Sequence, residues 1–249
     1  MVYPTWKEAV EAAISSGRLQ VTGEVRGGQL VQFSDPSGAI INILAVEPFA
    51  TWAGYAAGTE ITGHVDMLND VVGLIQVVDD SNPERVVDIA TITANIAQGP
   101  LLVEEDRQMY QQVSLSALEL DSEVFDSVDD YLKAKGGAVG LLTSHGAARI
   151  AAADGSTAPD ASATIIAAVR AVHRRINTLT DQAFTEVELD LPFPLVATLA
   201  TDADSVHEGS VVAGSFILYG SVNAPVGCGD GGGCGGGGCA CGSGGCGNH

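Results

Sequence analysis

Apolar residues first recur at Trp6, Val10 and Ile14, one face of a helix, and Gly17 supplies a stop, so a helix is predicted over Pro4 to Ser16. The period then changes to two. Leu19 to Val25 alternates, Gly27-Gly28 can turn, Gln29 to Phe33 alternates again, and the turn Asp35-Pro36-Ser37-Gly38 leads into Ile40 to Leu44. These segments predict a three-stranded meander. Glu60 to Met67, Val71 to Val78, Arg85 to Ile96 and Gln112 to Leu120 read as further strands, separated by acidic residues, Gly, Pro and Asn.

Beyond residue 120 the pattern mixes. Asp121 or Ser122 is placed to cap a helix through Val124, Phe125, Val128, Tyr131 and Leu132 to Gly136-Gly137, with Lys133 and Lys135 near its negative end. After a loop over Gly155 to Asp160, Ile166, Val169, Val172 and Ile176 recur at intervals of three or four on an Ala-rich background, which predicts another helix. It carries the basic cluster Arg170, His173, Arg174 and Arg175, read as a helix surface pairing with carboxylates. Phe184 to Leu191, Leu195 to Ala200 and Val211 to Val222 are expected as strands. Gly58 to Met67 aligns without gaps against Gly209 to Leu218, with Gly and β-branched residues at shared offsets, which suggests two related β-units.

The expected fold is therefore α+β, mainly antiparallel β, with two related small barrel-like (OB-like) units, three helices and a disordered C-terminal tail. The expected division is a β-rich unit over 1–120, a helix-then-β unit over 121–226 that could share one domain with the first, and a flexible Gly/Cys-rich tail over 227–249.

Charge narrows the partners. Eleven basic against 31 acidic residues give a net charge of −20, which disfavours nucleic acid and anionic membrane surfaces, because both are held by Lys and Arg. The start, Met1 to Glu8, lacks a basic region followed by an apolar stretch, so a cytoplasmic protein is expected. Ser210 to Gly229 carries no charge, yet Gly214, Gly220, Asn223, Pro225 and Gly227 interrupt it, and buried strands are expected there rather than a membrane helix.

The body offers few candidate groups. His64 and Asp66 would share one face of a strand, as an acid/base pair or a two-ligand metal corner. Asp79-Asp80 and Glu104-Glu105-Asp106 read as solvated turns. Phe33-Ser34-Asp35-Pro36-Ser37-Gly38-Ala39-Ile40-Ile41-Asn42-Ile43 resembles the strand, turn and strand of glyoxalase-like (vicinal oxygen chelate) proteins, where a metal-binding glutamate stands at the position of Asn42. The resemblance spans 11 residues, lacks that carboxylate and implies only the turn. No phosphate loop, dinucleotide fingerprint or Gly-x-Ser-x-Gly elbow is present. An enzyme is not expected from these motifs.

All five cysteines lie in the last 22 residues: Cys228, Cys234, Cys239, Cys241 and Cys246, with His249 at the end and 13 glycines between Gly227 and Gly247. Cys239-Ala240-Cys241 offers two sulfurs from one short stretch, and Cys-x-x-Cys knuckles of structural zinc sites are missing. An odd number of thiols in a reducing compartment argues against a disulfide framework. The Gly-Cys and Gly-Ser pairs also resemble the cores of azole-cyclised ribosomal peptides, although a body of more than 220 residues precedes them. The expected function is that of an acidic binding protein whose tail binds Cu(I) or Zn(II) through Cys228, Cys234, Cys239, Cys241, Cys246 and His249, or makes thiol contacts with a partner. The alternatives are an enzyme or small-ligand protein with its site in the body, and an assembly protein with an inert tail.

Overall fold

The computed structural model describes residues 5–223, apart from 83, 154, 156, 201 and 202. The cysteine-rich tail lies outside the described residues.

Helix α1 (Trp6–Ser15) begins where the Thr5 hydroxyl accepts the Glu8 N–H, and its buried face is Ala9 and Ala13. It lies on a four-stranded antiparallel meander, β1 (Leu19–Val25), β2 (Gly28–Ser34), β3 (Ala39–Leu44) and β4 (Ala50–Tyr55). The Val25–Gly28 hairpin turns through Arg26 and Gly27, both at positive φ, as a two-residue hairpin requires. Alternation sorts this sheet's side chains into two layers. Phe33 and Ile41 face Ala9 and Ala13 of the helix, whereas Leu30, Ile40, Leu44 and Trp52 face Ala97 and Tyr219 of a second, larger sheet. The order of layers is helix, small sheet, large sheet.

The large sheet contains β5 (Glu60–Met67), β6 (Val72–Asp79), β7 (Val87–Ile96), β8 (Gln108–Phe125), β9 (Leu141–Ser144), β10 (Ser162–Ile176), β11 (Ala183–Leu189), β12 (Leu195–Leu199) and β13 (Val211–Val222). Short helix α2 (Gly99–Leu102) links β7 to β8, while α3 (Val128–Ala134) and α4 (His145–Ala152) flank β9. The pairings trace two barrel-like rings that share the long antiparallel β8–β13 ribbon. One runs β8, β5, β6, β7, β13, and the other β13, β10, β11, β12, β8. Each ring has one thin parallel seam: two residue pairs between β7 and β13, and three between β12 and β8. Ile75, Ile92, Ile96, Leu115, Ile165, Leu195 and Phe216 are all fully buried in one continuous core.

The α+β, β-rich class and the barrel-like character hold. Two predicted helices need correction. The segment from Asp121 continues β8 to Phe125, because twelve residue pairs with β13 outweigh the local capping signal, and only Val128–Ala134 is helical. The helix expected over Ile166 to Ile176 is strand β10. Its inward residues Ala163, Ile165, Ala167 and Val169 follow period two, and its edges pair with β9, β11 and β13. Strands β4 and β9 and helices α2 and α4 were not anticipated. Residue 120, the expected unit boundary, lies inside β8. The matched segments Gly58 to Met67 and Gly209 to Leu218 cover β5 and the first part of β13, whose roles in the two rings differ.

Candidate functional site

Asp35, Tyr55 and Glu186, all buried, gather where the small sheet meets the β10–β11 hairpin. Arg175 on β10 and Glu186 on β11 project from the same side of the hairpin, since His173 is opposite Glu186 and Arg175 opposite Phe184. The Arg175 guanidinium donates from Nη2 to Glu186 Oε1 at 3.0 Å and from Nε to Oε2 at 3.2 Å. Tyr55, the last residue of β4, donates its hydroxyl to Glu186 Oε2 and stacks edge-on against Phe184 at 5.9 Å. Glu186 is 8% exposed and Tyr55 3%, whereas the Arg175 side chain remains 45% exposed. Glu186 points away from the ring interior, and it is buried because β4 covers it.

Burial pushes the Glu186 carboxyl up, but the Arg175 guanidinium and the Tyr55 hydroxyl together outweigh it and hold the group below the usual glutamate range. Burial and the adjacent carboxylate push the Tyr55 phenol well above its ordinary value. The pair is thus fixed as carboxylate and neutral phenol across the neutral pH range.

A second polar cluster, at the β2–β3 turn beside Tyr55, fastens the small sheet to the β10–β11 loop. Asp35 opens the β2–β3 turn, and its side chain is fully buried. Its carboxylate accepts the N–H groups of Ser37 at 3.0 Å and Thr178 at 3.1 Å, both hydroxyls, and Arg18 at 3.4 Å. Arg18 also lies 4.9 Å over the Phe33 ring. Desolvation opposes ionisation, yet the donors from Ser37 and Thr178 prevail and bring the Asp35 carboxyl down to about 2. The turn read from Asp35-Pro36-Ser37-Gly38 is present, with Gly38 N–H bonded to Asp35 carbonyl at 2.9 Å. Asn42 sits buried over the large sheet, accepting from Gln32 and donating to the Tyr219 hydroxyl at 3.5 Å. Burial raises that phenol to about 12.

Three clefts lie along the junction of the small and large sheets, two of them beside the β10–β11 hairpin. The first, of about 440 Å³, is framed by α1, β4, β8, β12 and the β10–β11 loop; Trp6, Ile40, Tyr55, Phe184 and Leu199 line it, with Glu119 and Asn177 among its polar groups. The second, of about 340 Å³, is lined largely by amides and hydroxyls, including Gln32, Gln98, Ser114 and Ser221. The third, of about 590 Å³, has His173, Arg175, Glu186 and Glu188 on one wall and Asp35 to Gly38 on the other. Tyr55 lines both the first and the third.

The residues singled out from sequence disperse. His64 is buried, accepts the Tyr110 N–H at Nδ1 (3.0 Å) and meets the Tyr110 ring edge-on, while Asp66 is exposed. His145 bonds Thr164 Oγ1 at 2.9 Å, and the adjacent Ser144 hydroxyl caps α4 and bonds Thr93. Of the basic cluster, Arg170 pairs with Asp190 and Arg175 with Glu186, so pairing with carboxylates occurs, but from a strand. Cys228, Cys234, Cys239, Cys241, Cys246 and His249 lie outside the described residues. Among the described residues no group of three or more His, Cys, Asp or Glu is placed to hold a metal ion, and no helix is long and apolar enough to cross a membrane. Compared with known proteins, the chain matches no family model, no curated protein and no solved structure.

Proposed function

We propose that this is a binding protein, not an acid/base catalyst, and that its body takes a small, mainly apolar ligand in the cleft between α1, β4 and β12. The observation that carries this reading is the division of labour at the seam. Its buried ionisable groups satisfy one another, with Glu186 held down and Tyr55 held up, so neither exchanges a proton near neutrality. Beside them is a concave surface of aromatic and aliphatic side chains with a few polar groups at its margin, the usual make-up of a small-molecule site. Trp6, one of two tryptophans and 43% exposed, lines that cleft and reports on it. The environment-sensitive dye 1-anilinonaphthalene-8-sulfonate should bind there and quench Trp6. Ala53→Phe, which fills the cleft, should weaken binding by tenfold or more; dye binding unchanged by Ala53→Phe would reject the site.

A second reading rests on the thiols. Five cysteines and His249 within 22 residues, including Cys239-Ala240-Cys241, suit capture of a thiophilic ion such as Cu(I) or Zn(II). Truncation after Val226 should abolish metal uptake in native mass spectrometry and leave the fold unchanged. Uptake retained by the truncated chain would place the metal elsewhere.

A further inference from the structure

The two rings have the same plan in the same chain order. In the first half β5, β6 and β7 form an antiparallel run, a short helix follows, and a long strand, β8, returns to pair antiparallel with β5. In the second half β10, β11 and β12 form the run, a short 3-10 helix follows at Ala203–Ser205, and β13 returns to pair antiparallel with β10. Each half alone is an open four-stranded sheet with a gap between its third and fourth strands. The gap between β7 and β8 is filled by β13, parallel to β7, and the gap between β12 and β13 is filled by β8, parallel to β12.

The registers agree as well as the order. Tyr219 pairs with Asn95 on one side and Ser116 on the other, and Ser116 pairs with Tyr219 and Val196. Both thin seams therefore meet the ribbon at a single row, Asn95, Tyr219, Ser116, Val196. The adjacent rows exchange too: Ile96, Gly220, Leu115 has its counterpart in Ala197, Ala117, Leu218. Ile96, Leu115, Ala117, Ala197 and Leu218 are all fully buried. Interchanging the halves maps every one of these pairs onto another, which locates a pseudo-twofold axis at the Ser116–Tyr219 pair. Under that operation β5 corresponds to β10, not to β13.

We infer that residues 60–125 and 162–222 are two units that bind each other by reciprocal strand insertion, and that each unit's partner surface is the open gap beside its own last strand. The small sheet belongs to neither unit and lies across the axial row: Asn42 donates to Tyr219, Ser116 Oγ donates to the Tyr55 carbonyl at 3.0 Å, and a Cβ at Gly54 would strike the Tyr219 ring. Contacts specific to the ribbon can be tested separately from the Tyr55–Glu186–Arg175 cluster, the clasp between the small sheet and the β10–β11 hairpin. A Cβ at Gly214 would run into the Asp121 carbonyl and Ser122, both on β8 and hence in the opposite unit.

The test uses the full chain with a protease site inserted at the exposed Gly137-Ala138 bond between α3 and β9, cut after folding. Native mass spectrometry should find the two pieces together as a 1:1 complex that forms again after dilution from urea. The same result is expected when the clasp is made apolar by Tyr55→Phe, Arg175→Met and Glu186→Met, because the ribbon and not the clasp joins the units. Gly214→Val in the cut chain should raise the dissociation constant by tenfold or more. Separation of the clasp variant into two folded pieces, or no effect of Gly214→Val, overturns the inference. Should Gly214→Val prevent folding of the uncut chain, hydrogen exchange on the unmutated chain decides: β8 and β13 should open together at one rate, and independent opening of the two strands overturns it.

Discussion

Removal of the Arg175 charge tests how the small sheet is held. In Arg175→Met the Glu186 carboxylate keeps its burial and the Tyr55 donor but loses two charge-assisted hydrogen bonds. Breaking a buried ion pair from one side costs about 3–5 kcal/mol. Arg175 is nearly half exposed and part of its charge is already solvated, so the expected loss is nearer ~2 kcal/mol, or a melting point lower by about 4–8 °C for a domain of this size. Replacing all three polar partners together, Tyr55→Phe, Arg175→Met and Glu186→Met, leaves no stranded charge and should return stability to within ~1 kcal/mol of the unmutated protein. Urea unfolding followed by fluorescence of Trp52, which is buried between the sheets, reads both numbers. The sign with pH is fixed by the direction of the Glu186 shift. A carboxyl held below its unfolded value contributes stability above the usual carboxylate range and loses it as pH falls through the folded value. In Arg175→Met the stranded carboxylate is relieved by protonation, so the gap between variant and unmutated protein should narrow on acidification. A single variant within ~0.5 kcal/mol of the unmutated protein, or a triple variant as unstable as the single, would refute the reasoning.

Asp35, with its carboxyl near 2 in the folded state, should contribute about 2 kcal/mol that is fully present above pH ~4 and lost between there and pH ~2; Asp35→Asn should remove that acid-limb loss in pH-dependent urea titrations. Ser144→Ala takes away both the α4 cap and the acceptor for the Thr93 N–H, and should cost about 1–3 kcal/mol, whereas Ser127→Ala at the exposed start of α3 should cost about 1 kcal/mol or less. Gly146→Ala places a Cβ against the Asp160 carbonyl and the Thr93 hydroxyl, so calorimetry should show a clear fall in melting temperature.

Strands bounded by turn residues were legible in the chain: β5 and β13 lie where alternation and punctuation put them. β10 was misread because its outward positions include Ile166 and Ala168, which are only partly exposed, so apolar residues on both faces imitate a helical interval. Distant pairing decided the question. The seam was legible only in pieces: the Asp35 turn and the basic run near Arg175 were visible, but the sequence places Tyr55 and Glu186 131 positions apart. Glu186 sits in the outward phase of Phe184, Glu186 and Glu188, a pattern indistinguishable from a wet strand face until a second sheet is laid over it. β4, Ala-Thr-Trp-Ala-Gly-Tyr, has no alternation to announce it, and its Gly54 is there to let the Tyr219 ring approach.

Tyr55 lines both the apolar cleft and the charged one, so a single side chain is common to the two walls. On the proposed reading, a ligand that fits the apolar cleft alone leaves the Tyr55–Glu186 bond intact. One long enough to pass Tyr55 into the charged cleft would have to displace its ring, parting the phenol from Glu186 and exposing the Arg175 pair to water. Under that reading, a passage between the two clefts opens only at the cost of the Tyr55–Glu186 hydrogen bond, so ligand length and the hold on the small sheet are linked.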